Sequence, residues 1–176
     1  DAFGYRWKDS NDPNGPAYAW NDIAANPGAV RVTFPNGTLD DGYTNAIPVG
    51  FDFKFYGTNY SNIYLSTNGF LSFAALTSSY YTNETIPSSD APNNIIAPMW
   101  DDLDGRTQGT VHYLRESDKL TIQFTNWQKY NATGSLTFQI VLKSNDRIMF
   151  YYNNLNATLT SATVGIENAA GNDGLQ

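Results

Sequence analysis

The chain has 176 residues, a length that suits one domain, and carries ten Lys plus Arg against seventeen Asp plus Glu, a net charge of −7. That sign is wrong for wrapping a phosphate backbone by counterion release, which excludes nucleic acid as a partner. No run approaches the roughly 20 apolar residues of a transmembrane helix, and with no Cys and a single His, His112, the chain has no disulfide, thiolate nucleophile or multi-histidine metal site.

The opening residues Asp1-Ala2-Phe3-Gly4 lack the basic-then-apolar pattern of a signal peptide, so residues 1–176 read as a single module, processed or excised from a larger secreted or surface protein. Asp9-Ser10-Asn11-Asp12-Pro13-Asn14-Gly15 places oxygen-bearing side chains at alternating positions before a Gly. It is a weak echo of a calcium loop without the closing Glu, and a turn-rich loop explains it as well. The best helical candidate anywhere is a single turn near Trp20 to Ala25. Asp40-Asp41-Gly42 is a further acidic turn.

Ile47, Val49, Phe51, Phe53 and Phe55 then alternate with Pro48, Gly50, Asp52 and Lys54, which puts five apolar side chains on one face of a strand. Burying each Phe is worth roughly 1.5–3 kcal/mol, so a one-residue slip in register would be costly. Asn68-Gly69, between Ile63 to Thr67 and Phe70 to Ala74, supplies the two positive φ angles of a type I′ hairpin turn. Ala75 to Asn94, like Asp9 to Pro16, is long, irregular and too polar for core, a place where a site can sit. Leu120, Ile122 and Phe124, then Leu136, Phe138, Ile140 and Leu142, then Ile148, Phe150 and Tyr152 repeat the alternation. Turns at Glu116-Ser117-Asp118 and Ser144-Asn145-Asp146 make these a meander from about Thr110 to Tyr152. The predicted fold is all-β, an antiparallel and jelly-roll-like β-sandwich of about ten or eleven short strands with little or no helix.

Fourteen of the seventeen acids are Asp, most of them in turn-like segments, where short carboxylates suit turn hydrogen bonding and hard-cation ligation. Trp100-Asp101-Asp102-Leu103-Asp104-Gly105 packs three carboxylates into four positions, and their repulsion must be offset. Calcium held by Asp101, Asp102 and Asp104, joined by loop acids such as Asp9, Asp12 and Asp41, is one solution. A solvated turn neutralised by Arg106 is the other. A calcium site of the extracellular kind, with affinity about 10⁻⁴–10⁻³ M, adds roughly 0.4–1.4 kcal/mol at about 1 mM ion. Tyr80, Tyr81, Trp127 and Tyr130 form a competing set, aromatic rings able to stack on sugar faces in a carbohydrate-binding module. Catalysis finds little support. His112 sits in strand alternation with no nucleophile elbow, and nothing in sequence pairs Glu84, Glu116 and Glu167, so a hydrolase ranks third. Five Asn-x-Ser/Thr sequons, at Asn36, Asn59, Asn83, Asn131 and Asn156, barely exceed chance in so Asn-rich a chain.

The run from Ile47 to Gly57, followed by Ile63 to Phe73, resembles an extracellular module of large secreted and surface proteins of bacteria and is similar to the nidogen-type (NIDO) domain of animal matrix proteins. The similarity continues through Asn94 to Asp102, Gly109 to Tyr113 and Leu136 to Leu142. The resemblance implies an exported, non-catalytic β-sandwich, extracellular or at the cell surface, with a role in adhesion or architecture. Its implied partners are neighbouring modules, copies of itself, extracellular matrix or cell-surface glycans. The bacterial modules continue past the equivalent of Asp173-Gly174-Leu175 with another strand, which implies that one sheet edge is open here or that another chain or subunit fills it.

Overall fold

A computed structural model describes all residues, Asp1–Gln176, and contains strands and turns but no helix. In chain order the strands are β1 (Val30–Arg31), β2 (Asn36–Gly37), β3 (Gly42–Tyr43), β4 (Ile47–Phe55), β5 (Thr58–Ser66), β6 (Phe70–Ser72) and β7 (Ile95–Trp100). They continue as β8 (Leu103–Asp104), β9 (Thr110–Arg115), β10 (Lys119–Lys129), β11 (Gly134–Lys143), β12 (Ile148–Ala157), β13 (Thr163–Glu167) and β14 (Gly174–Leu175). The total of fourteen exceeds the expected ten or eleven because five strands are two residues long, too short for alternation to show.

Two antiparallel sheets form the sandwich. One runs β1-β9-β10-β11-β12, with β8 also on β10; the other runs β14-β13-β7-β6-β5-β3-β2, with β4 on β5. The predicted meander is present as β9 to β12. Val49, Phe53, Phe55, Ile63 and Leu65 from one sheet meet Leu120, Ile122, Phe124, Phe138, Ile140 and Leu142 from the other in a single core. The period-two face of β4 therefore points where its sequence says. A bulge between Pro48 and Phe53, at Gly50 with φ +98°, leaves Phe51 only half-buried.

The Asn68-Gly69 hairpin exists, but its turn is not type I′. Ser66 pairs with Phe70 across a three-residue loop in which only Gly69 takes positive φ, +80°. A Cβ at Gly69 would sit 2.0 Å from the Met99 carbonyl, so the glycine also permits the close approach of β7.

Two segments cover the outer faces. Residues 20–29 turn twice, at Ile23–Asn26 and Asn26–Ala29, without becoming helical and cross the back of β10 and β11. There the Ile23 N–H donates to Gln123 Oε1 (3.0 Å), Gln139 Nε2 donates to the Asn21 carbonyl (2.7 Å) and to Gln123 Oε1 (2.7 Å), and Gln123 Nε2 donates to Asp22 (2.8 Å). Ile23, Gln123 and Gln139 are all buried beneath this strap. On the opposite side, residues 75–94 fold over the eight-stranded sheet. Contrary to their polar composition they supply core: Leu76 and Ile86 pack with Phe70, Ile95, Ala97 and Trp100 in a second apolar cluster.

Candidate functional site

The tight turn Thr67-Asn68-Gly69 organises one end of the sandwich. Asn68 is fully buried; its Nδ2 donates to the Ser79 carbonyl (3.3 Å) and Asp41 Oδ1 (3.4 Å), while its Oδ1 accepts the Leu103 N–H (2.8 Å). The Gly42 N–H donates to Thr67 Oγ1 (2.9 Å), and Ser79 Oγ donates to Asp41 Oδ1 (2.7 Å). The loops at 40–42, 79 and 101–103 are thus gathered on one hairpin. The Asn-Gly dipeptide signalled a turn; nothing in the sequence distinguished an exposed turn Asn from a buried tether.

The acids at this end have separate fates. Asp101 is 2% exposed and accepts from Lys129 Nζ (2.9 Å) and Ser161 Oγ (3.0 Å). Asp104 holds Arg106 bidentately (Nε–Oδ1 3.0 Å, Nη2–Oδ2 2.8 Å), and this pairing pulls its carboxyl below the usual range. Arg106 Nη2 also reaches Asp40 Oδ2 at 3.1 Å. Desolvation, reinforced by the Asp104 charge, raises the Asp40 pKa, and its Oδ1 is buried with no partner. Asp102 accepts no hydrogen bond on its carboxylate. Burial raises its pKa, and the charges of Asp41, Asp40 and Asp101 add to the effect.

Arg106 and Lys129 therefore do much of the neutralising that the sequence offered to calcium. No three acidic or imidazole side chains converge as a metal-ligand group, so Asp101, Asp102 and Asp104 do not form a ready cage. Asp9 and Asp12 take no part: their hydrogen bonds close their own loop, Asp9 Oδ1 accepting from Asn11 N (2.7 Å) and Asp12 N (3.1 Å). Asp41 does come to this end of the sandwich, held by Ser79 and Asn68.

The aromatic set divides. Trp127 is not an exposed stacking ring: it is wholly buried, edge-on to Phe124 and Phe34, with Nε1 donating to the Thr110 carbonyl (3.1 Å). The bulge between Phe124 and Trp127 shifts the register and turns its ring inward. Tyr80 is half-buried at positive φ, its carbonyl accepting Trp100 Nε1 (2.7 Å). Tyr81 (53% exposed) and Tyr130 (40%) remain open, the latter 5.9 Å from the Arg106 guanidinium.

Two arrangements resemble catalytic pairs and fail as such. Lys129 Nζ lies 2.8 Å from Ser161 Oγ, but Asp101 holds that ammonium as an ion pair, so it does not serve as a base. Glu84 and Glu167, unpaired in sequence, share Ser88: its Oγ donates to Glu84 (3.2 Å) and its N–H to Glu167. Desolvation pushes Glu167 up to about 7, yet at 1% exposure it offers a substrate no access. His112 is half-buried on β9, its Nδ1 without a partner and its pKa lowered by burial and Arg31.

The sequence profile of the family described as NIDO related matches residues 14–176. Alpha-tectorin of mouse is 32% identical over 118 residues, which is 64% of this chain and 5% of that protein. Human alpha-tectorin is 27% identical over the same share, and the chicken protein 33% identical over 88 residues, 48% of this chain and 4% of that one. The chain thus spans about one twentieth of the curated relatives it matches. No solved structure matches it.

Proposed function

The chain belongs to the NIDO-related family, and from that premise we propose that it is a non-catalytic extracellular module contributing structure or adhesion within larger assemblies. One observation carries the reading. Most acids at the loop end are engaged by side chains of other segments or of their own turn: Asp101 with Lys129 and Ser161, Asp104 with Arg106, Asp41 with Ser79 and Asn68. Such pairing ties separate chain segments into a rigid end and leaves no nucleophile–base pair facing a cleft. Neighbouring modules, further copies, matrix material and cell-surface glycans are the partners this role calls for.

Calcium enters in narrower form than the acid cluster first suggested. Asp102 has neither a cationic partner at close range nor a hydrogen bond on its carboxylate, and burial, reinforced by the charges of Asp41, Asp40 and Asp101, disfavours its ionised form. A divalent cation bridging Asp102 toward Asp41 would relieve that, as a stabiliser and not as a condition for folding. Tyr130 beside Arg106 keeps a glycan-stacking reading in play, with Tyr81 the other open ring.

The test combines turnover and retention. The purified chain, offered panels of glycoside, ester and peptide substrates, is expected to turn over none, while the immobilised chain retains extracellular matrix preparations. Turnover that Glu84→Gln or Asp101→Asn abolishes in a folded protein would overturn the reading, as would no retention above a blank surface. Glycan-array binding lost in Tyr130→Ala or Tyr81→Ala would move the role to carbohydrate recognition.

A further inference from the structure

The sandwich has two long outermost strands, and they are treated differently. β4 pairs on one side only, with β5, and carries every common guard against edge-to-edge association. Pro48 lacks an N–H, Gly50 kinks the strand at φ +98°, Asp52 and Lys54 are exposed charges, and a bulge interrupts the ladder. Its backbone is capped as well: the Lys54 N–H donates to Asp146 Oδ1 (2.9 Å), and Arg115 Nη1 reaches the Pro48 carbonyl at 3.5 Å.

β12 pairs on one side only, with β11, and its ten residues Ile148–Ala157 contain no charge, no Pro and no Gly. Beyond the ladder with β11 its backbone makes two hydrogen bonds: the Tyr152 carbonyl accepts Tyr18 Oη (3.1 Å), and the Asn156 N–H donates to Asn154 Oδ1 (3.0 Å). Tyr18 is itself 52% exposed. Ile148, Met149, Phe150, Tyr151 and Tyr152 are all half-buried, and Leu155 is 45% exposed. One bulge opposite Thr137 and Phe138 is the strand's sole guard.

We propose that β12 is a self-pairing edge, through which two copies of the chain join antiparallel about a two-fold axis and merge their six-stranded sheets into one. The strand that completes this edge must be extended, uncharged and free of proline, and β12 is itself such a strand. A two-fold arrangement satisfies both edges at once. It also opposes no like charges, since Arg147 at one end of the strand meets Asn156, Ala157 and Thr158 at the other. Tyr18, held by its hydrogen bond to the Tyr152 carbonyl and by an edge-on contact with the Tyr151 ring, swings aside to admit the partner strand. The pairing is independent of the matrix role and of calcium.

Sedimentation of the whole chain from about 10 to 500 μM tests this, with a dimer fraction that rises across the range. Asn153→Lys combined with Leu155→Lys, both at exposed positions, is expected to raise the dimer Kd at least tenfold at an unchanged melting temperature. Because the chain has no native Cys, single Asn153→Cys and Leu155→Cys variants report proximity directly. At least one of them should oxidise to a disulfide dimer faster than Asp52→Cys on β4. A monomer throughout the range, a dimer indifferent to the two lysines, or cross-linking no faster than at position 52 overturns the proposal. So does a monomer that instead takes up an unrelated extended peptide, which assigns the edge to a foreign strand.

Discussion

Asn68 ties three loops with one amide, so its removal touches more than one partner. Asn68→Ala leaves the buried Leu103 N–H without its acceptor and takes one donor each from Asp41 and the Ser79 carbonyl, which keep Ser79 Oγ and Ser66 Oγ. The expected cost is about 2–4 kcal/mol, a fall in melting temperature of roughly 5–15 °C. Trp127→Ala should lose about 3–5 kcal/mol by opening the core and leave any glycan binding to Tyr81 and Tyr130. Glu167 makes the stability depend on pH. Its folded pKa, raised to about 7 from an ordinary 4.5 by desolvation, means its contribution is full below about pH 4.5 and is lost as the pH climbs toward 7. Glu167→Gln is expected to abolish that part of the loss, with about 1–2 kcal/mol recovered at pH 8 and nothing at pH 4. Thermal melts of the two proteins at both pH values check it. His112 acts in the opposite sense, losing stability as the pH falls below its unfolded value, so the comparison with the variant isolates Glu167.

Strands and their inward faces were legible because β4, β11 and the Leu120–Phe124 stretch of β10 alternate in sequence and a two-residue period has one buried solution. What alternation does not encode is who sits on the other face. Gln123, Gln139, Thr121 and Thr137 occupy polar, outward positions and are nonetheless buried, the two glutamines under a strap whose sequence, Asn21 to Gly28, has no period of its own. Ile23 is the apolar peg of that strap. Ile23→Asp should release it: hydrogen exchange would accelerate at residues 20–29, while the central amides of β10 and β11, held in their own ladders, keep their protection. Global unfolding instead would show the strap to be part of the cooperative core. The inward turn of Trp127 has the same origin as the half-exposure of Phe51. Both lie beside bulges, which shift register without leaving a mark in composition.

Across the molecule, the acid cluster and Arg106 as its neutraliser were visible in sequence, and the Lys129 pairing was not. Asp101, Asp102 and Asp104 are neighbours along the chain, yet Lys129, which engages Asp101, comes from strand β10, 28 residues away, while Arg106 lies two residues beyond the Asp104 it holds. Only the fold sets Asp40 and Asp41 beside them. About 1 mM calcium against excess chelator is expected to raise the melting temperature by roughly 1–5 °C, and Asp102→Asn to erase the shift. Equal melting in both buffers removes the ion from the account.

Close to the first residues of the chain, the N–H groups of Ala2 and Phe3 donate to Asp173 (3.0 and 2.7 Å), and the Phe3 ring packs beside Tyr5 and Tyr56. Residues 2–3 and 173 are therefore clasped side by side. A force applied between these points loads the clasp one bond at a time, as a zipper, before any sheet is sheared. Stretched in series, such a module should yield early and locally, and Asp173→Ala should lower the first rupture force in an optical trap while the sandwich behind it holds.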